Sequence, residues 1–266
     1  MRFGALIFAV LLAACGRNAA TGASTTIAAA TTTSTASFNA AAPSNAWFIC
    51  DGIDAPTILV FKQTSPTATT ATMIQYDKTA RGAAAAPVTY TLGEGDGAAG
   101  SLFTPLLLNG QDAGHIRQIN EGMLETPGSA YTTVYSSVTL GDKEVECRWM
   151  PRTRLIGFSD RRSFVINEDK DGDLIYTTYD FSRPASAPID ISENGHTNTF
   201  SAEVRGGSEH ASPGGIEFRF EKNGYRYVVT GQTGQAQVQV FHGDQLMQTE
   251  PMLAVEYGTA AHGTTP

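Results

Sequence analysis

The run Ile216-Glu217-Phe218-Arg219-Phe220-Glu221-Lys222-Asn223-Gly224-Tyr225-Arg226-Tyr227-Val228-Val229 decides the fold. Its first part alternates apolar and charged side chains with period two. An extended chain then carries Ile216, Phe218 and Phe220 on one face and their charged neighbours on the other. Asn223-Gly224 follows, and both residues tolerate the positive φ that a two-residue turn between twisted strands requires. The segment is a β-hairpin with one face in a core.

The same pattern recurs on both sides. Tyr135 to Leu140 turns at Gly141-Asp142 into Lys143 to Trp149, and Ala236 to Val240 turns at Gly243-Asp244 into Gln245 to Met247. Arg162 to Ile166 returns through Asp171-Gly172 into Leu174 to Phe181, and Thr197 to Arg205 reads as a further strand. Helical periodicity is nearly absent. Short strands and turns at this density imply an all-β, antiparallel sandwich or barrel built from hairpins. Ala46 to Gly258 comprises about 210 residues, enough for one large β domain or two small ones. A boundary near Pro151 would give β units at 46–150 and 151–258; one continuous domain is the alternative.

The flanks differ in kind. Met1 to Gly4 carries one positive charge, Ala5 to Leu12 is apolar, and Ala13-Ala14 precedes Cys15. These are the parts of an export signal, and the apolar run is far short of the roughly 20 residues of a membrane-crossing helix. Leu12-Ala13-Ala14-Cys15 resembles a bacterial lipobox. That resemblance implies removal of residues 1–14, diacylglycerol on the Cys15 thiol, and an acyl chain such as palmitate on the new amine. Several chains anchor durably, at about 0.8 kcal/mol per buried CH₂. Gly16, rather than Asp, follows the cysteine, which by resemblance to enteric sorting points to the outer membrane with the domain in the periplasm. Residues 15–45 are nearly all Ala, Thr, Ser, Gly and Asn; they form a flexible tether reaching roughly 30 Å on average. Residues 259–266 read as a disordered tail.

Of three cysteines, lipidation of Cys15 leaves Cys50 and Cys147. In an oxidising compartment these are expected to form a disulfide. It would close a loop of about 100 residues and stabilise by about 4–5 kcal/mol in the chain-entropy account. The net charge of −8 argues against nucleic acid as a partner.

Three stretches carry chemistry worth weighing. Arg148, Arg152, Arg154, Arg161 and Arg162 crowd together beside Trp149 in an otherwise acidic chain. Guanidinium forks suit phosphate or carboxylate, so the cluster could meet lipopolysaccharide, peptidoglycan or an acidic envelope protein. Pairing with Asp142, Glu144, Glu146 and Asp160 would account for the same residues. Asn167-Glu168-Asp169-Lys170-Asp171-Gly172-Asp173 places Asn167, Asp169, Asp171 and Asp173 at the alternate positions of a calcium loop. Thr178 stands where the bidentate Glu belongs, and a solvated hairpin tip explains the same residues. Gly95-Asp96-Gly97-Ala98-Ala99-Gly100 fits a dinucleotide fingerprint literally, but Pro105 interrupts the helix that such a site needs. The five histidines (His115, His196, His210, His242, His262) show no metal-ligand spacing, and no nucleophile elbow is present. No cofactor is implied beyond the calcium alternative, and the domain reads as non-enzymatic.

Trp47-Phe48-Ile49-Cys50-Asp51-Gly52 resembles the opening strand of the membrane-bound lysozyme inhibitors of C-type. Glu121 to Tyr131 is similar to the approach to that family's S-G-x-x-Y loop, with Gly128 and Tyr131 matching, Ser129 between them, and Pro127 in place of the Ser. The resemblance covers at most residues 47–149. It implies a small antiparallel barrel with one disulfide and a loop, Gly128-Ser129-Ala130-Tyr131, that would enter a lysozyme cleft. The expected function is that of a membrane-tethered protein binding an envelope component or protein partner, with lysozyme inhibition and a calcium-stabilised structural module as alternatives.

Overall fold

Asn223 and Gly224 adopt φ of 53° and 79°, and the hairpin they join forms the middle of a curved sheet. The structure, a computed structural model, describes residues 46–53, 55–120, 132, 134–150, 152–182, 190–192, 195–197, 200–212, 215–232 and 234–258. Among these every regular element is a strand. Cys15, the tether and the loop Gly128 to Tyr131 lie outside the described residues.

The first sheet comprises β1 (Phe48–Asp51), β2 (Thr57–Lys62), β3 (Thr70–Asp77), β4 (Ala83–Ala84), β5 (Val88–Leu92), β6 (Asp96–Ala98), β7 (Ser101–Leu108), β8 (Gln111–Ile119), β9 (Tyr135–Leu140) and β10 (Lys143–Glu146). Its path is β1-β2-β3-β5-β7-β8-β9-β10, with β4 beside β3 and β6 beside β7. The two ends of that path meet. Gly52 bridges Cys147, Ile53 N donates to Glu146 O, and Arg148 N donates to Asp51 O. The Cys50–Cys147 disulfide locks the same seam, so the sheet is a nearly closed barrel. The expected disulfide is therefore present, and closure leaves few free edges for unwanted pairing. Inside sit Phe48, Leu59, Phe61, Leu106, Ile116, Tyr135 and Val138, with Phe48 stacked on Phe61 at 4.6 Å.

The second sheet comprises β11 (Thr153–Phe158), β12 (Arg162–Glu168), β13 (Leu174–Asp180), β16 (Ala202–Ser212), β17 (Gly215–Lys222), β18 (Tyr225–Gln232), β19 (Gln237–His242), β20 (Gln245–Pro251) and β21 (Ala254–Tyr257), while β14 (Asp190–Ser192) and β15 (Gly195–Thr197) pair separately. Its order, β20-β19-β18-β17-β16-β13-β12-β11-β21, makes a half-barrel. The curl has a local cause in β16. Ala202 to Gly207 pair with β13, Ser208 onwards pairs with β17, and Gly206, at φ 77°, bulges out of the β13 register between Arg205 and Gly207. A Cβ on Gly207 would overlap the Phe220 ring, so only glycine lets that ring lie across the corner. This strand begins and ends later than the alternation of Thr197 to Arg205 implies.

The sheet changes between Glu146 and Thr153, and the two sheets share a third cluster. Ile49, Ile58 and Val60, from the outer face of the barrel, pack on Ile156, Phe158, Val165 and Ala254 from the convex side of the half-barrel. Strands β1, β2 and β11 are thus covered on both faces, which explains their unbroken apolar runs. Ala46 N donates to Val255 O at 3.0 Å and Ile49 N to Glu256 Oε2 at 2.9 Å, tying the first strand to the last.

Candidate functional site

The fold separates the five arginines of the stretch from Arg148 to Arg162. Arg148 turns inward at the junction of the sheets. Its Nε lies 3.0 Å from Asp51 Oδ2, and its guanidinium stacks 3.6 Å from the Tyr179 ring centre. Lys78 Nζ approaches Asp51 Oδ1 at 2.5 Å and donates to Gly52 O at 2.5 Å. Burial pushes the Asp51 carboxyl up, but the two cations and their hydrogen bonds outweigh it and hold the group below its ordinary value. Arg154 is also buried, between Glu168, at 2.9 Å, and Glu209. Arg152 Nη1 donates to Asp169 O at 2.6 Å, and Trp149 Nε1 donates to Thr132 Oγ1 at 3.1 Å. These side chains join segments of the fold to one another.

Arg161 and Arg162 come together on the surface, with two cations that lie far away in sequence. Lys78, Arg81, Asp160, Arg161, Arg162 and Asp180 line a groove of about 310 Å³. Asp160 is shared by Arg81, at 2.6 Å, and Arg161, at 3.6 Å, and both guanidiniums remain largely exposed. Arg162 lies 3.1 Å from Asp180 and 3.5 Å from Glu250. Lys78 is committed to Asp51 and Arg162 to Asp180 and Glu250, so Arg81 and Arg161, which share the single carboxylate of Asp160, are the cations this groove presents on a molecule of net charge −8. Of the neighbours in sequence, Asp160 supplies a counter-charge; Asp51, Glu168, Glu209, Asp180 and Glu250 supply the others. Arg81 gives no local signal because it lies in the turn between β3 and β4 of the first sheet, and only the packing of the sheets brings it near.

The stretch Asn167 to Asp173 forms the end of the β12–β13 hairpin. Asp169 Oδ1 accepts from the backbone N–H groups of Asp171, at 2.9 Å, and Asp173, at 3.0 Å. These bonds, the one from Asp173 foremost, hold its carboxyl below the ordinary range. Among the described residues no three His, Cys, Asp or Glu side chains gather as the ligands of a metal would. Gly95 to Gly100 forms β6 and its turn into β7, with Ala99 and Gly100 at φ 45° and 82°.

A second concavity lies on the inner side of the half-barrel. A cleft of about 260 Å³ is lined by Arg162, Tyr176, Thr178, Tyr225, Tyr227, Gln248 and Glu250 together with apolar neighbours. Glu250 is only 4% exposed; it accepts from the Ser159 hydroxyl and from Gln248 Nε2 at 2.8 Å. No family model matches the chain, and no curated protein is significantly similar to it.

Proposed function

We propose that the chain is an exported lipoprotein, fixed to a membrane through Cys15, whose two-sheet β domain binds an envelope component or protein partner. The observation that carries this reading is the use of the cysteines. Cys50 and Cys147 are joined, as suits an oxidising compartment, and of three cysteines that leaves Cys15, within the lipobox-like run. A chain with the opening read above would be held at the outer membrane, with the domain free to sample about a tether's length from its surface. Its partner-binding face is the groove of Arg81, Arg161 and Arg162, which suits phosphate or carboxylate groups. The test is metabolic labelling with an alkyne palmitate, followed by fractionation. Wild type should carry label and sediment with membranes, whereas Cys15→Ala should be unlabelled and soluble. Label retained by Cys15→Ala, or unlabelled soluble wild type, would overturn the anchor.

A second reading is supported by the first barrel, whose strands fall within residues 47–149, the span that resembles the C-type lysozyme inhibitors, and which carries a single disulfide. Lysozyme clearing of cell walls should slow in the presence of the purified protein if that reading holds. Unchanged clearing at large molar excess discards it.

A further inference from the structure

The cleft on the inner face of the half-barrel has a chemistry that packing alone does not explain. Tyr176 and Val238 line it and belong to the apolar cluster of Phe218, Phe220 and Val229, which needs no polar company. Yet its floor brings together a carboxylate, an amide, a guanidinium and a hydroxyl. Thr178, 2% exposed, has a hydroxyl with no hydrogen-bond partner. Leaving such a group unsatisfied in an apolar setting is costly, and each one in a native fold calls for a reason.

The walls are aromatic. Tyr225 and Tyr227 alternate along β18 and therefore project to the same, concave side. Tyr227 lies 5.9 Å from Tyr176, deep in the cleft, whereas Tyr225 is 40% exposed at its mouth. A neighbouring groove of about 540 Å³, with Phe200 and Lys222, is also lined by Tyr225 and Tyr227, so the same rings wall both concavities. Of the residues lining the cleft, only Arg162 and Glu250 carry charge, and they face each other at 3.5 Å, so the site offers no net charge to an ion.

A ligand for this surface must be neutral, offer both donors and acceptors to the floor, and present an apolar face to tyrosine. A sugar ring has those properties: hydroxyls round its edge and C–H groups on its faces. The volume is below the roughly 300–1,000 Å³ of pockets for drug-sized ligands, as a single ring requires. We propose that the concave face of the second sheet is a binding site for a neutral glycan, with one ring on Thr178, Gln248 and Glu250 against Tyr227 and the next against Tyr225. This adds a ligand class to the tethered-binding reading and fails separately from it, since palmitate labelling of Cys15 does not depend on the cleft.

The test is saturation-transfer NMR and calorimetry on the full-length protein in a polyoxyethylene detergent, free of sugar headgroups. Chitotetraose, maltotetraose and glucose 6-phosphate serve as probes. Transfer to the C–H protons of either neutral tetrasaccharide is expected, with affinity reduced at least tenfold in Tyr227→Ala. Thr178→Val separates binding from folding, because removing an unpartnered hydroxyl should hold or raise the melting temperature while weakening the sugar. Lys143→Gln, in β10 of the first sheet and outside the cleft, should leave the sugar affinity unchanged. Binding of glucose 6-phosphate alone, sugar affinity unmoved in Thr178→Val and Tyr227→Ala, or binding of neither tetrasaccharide at 10-millimolar-scale concentration would each overturn the site.

Discussion

At Asp51 a carboxylate 1% exposed sits between Lys78 and Arg148, and both cations are largely buried beside it. Removing the carboxylate leaves two buried cations facing each other, a loss of about 3–5 kcal/mol for a buried pair of this kind. Asp51→Ala should show that loss in urea titration. The charge itself is tested by Asp51→Asn. Because the folded carboxyl is held below its ordinary 3.8, the unfolded chain takes up the proton first as acid is added. The stabilisation is therefore complete above about pH 5 and is lost as pH falls through the lowered folded value. Wild type and Asp51→Asn should differ most at neutral pH and converge in acid; a gap that stays constant with pH would place the effect in packing rather than charge.

The hairpins were legible as elements because their information is local. Asn223-Gly224 needs nothing outside itself to dictate a turn, and the alternation around it places Phe218 and Phe220 correctly in the core. The late start of β16 was not legible. Its alternation is broken by a bulge at Gly206, whose meaning depends on two different partner strands and on a ring from β17. The doubly buried strands were half-legible: the run Ile58-Leu59-Val60-Phe61 announces cover on both faces, but not that another sheet provides it. The corner in β16 yields a prediction at this scale. Gly207→Val forces the Phe220 ring aside, and overpacking of this kind costs about 1–3 kcal/mol. Gly97→Ala, where a Cβ meets nothing within 4 Å, should be close to neutral. Combining Gly207→Val with Phe220→Ala should cost less than the sum of the single losses, since the cavity left by the ring accepts the valine. Additive losses in denaturation would mean that the corner does not depend on this contact.

Across the whole molecule, what escaped the sequence is what lies between distant segments: Arg148 with Asp51, Arg154 with Glu209, Arg81 with Asp160, and the cleft whose walls come from six strands of the second sheet. The pairing partners are set by the packing of the sheets, and no spacing encodes them. That packing also predicts how the molecule fails in alkali. Burial, aided by the Glu256 charge, pushes the Tyr135 phenol in the first barrel above its ordinary 10.0. Burial likewise pushes up Tyr176 in the half-barrel, against partial relief from Arg162. A phenol held protonated by the fold contributes stability that is whole below pH 10 and is lost as pH rises towards the folded value. Unfolding should therefore set in above pH 10 and release both phenols. Tyrosinate absorbance near 295 nm reports their ionisation. Fluorescence of Trp47, packed 5.3 Å from Tyr135, follows the first barrel. Because Ile49, Ile58 and Val60 belong to the same cluster as Ile156, Phe158 and Val165, neither sheet can open without exposing the other. The absorbance and fluorescence transitions should coincide. If fluorescence changes a full pH unit or more before most of the tyrosinate appears, the barrel opens on its own, and the shared cluster is too weak to couple the two sheets.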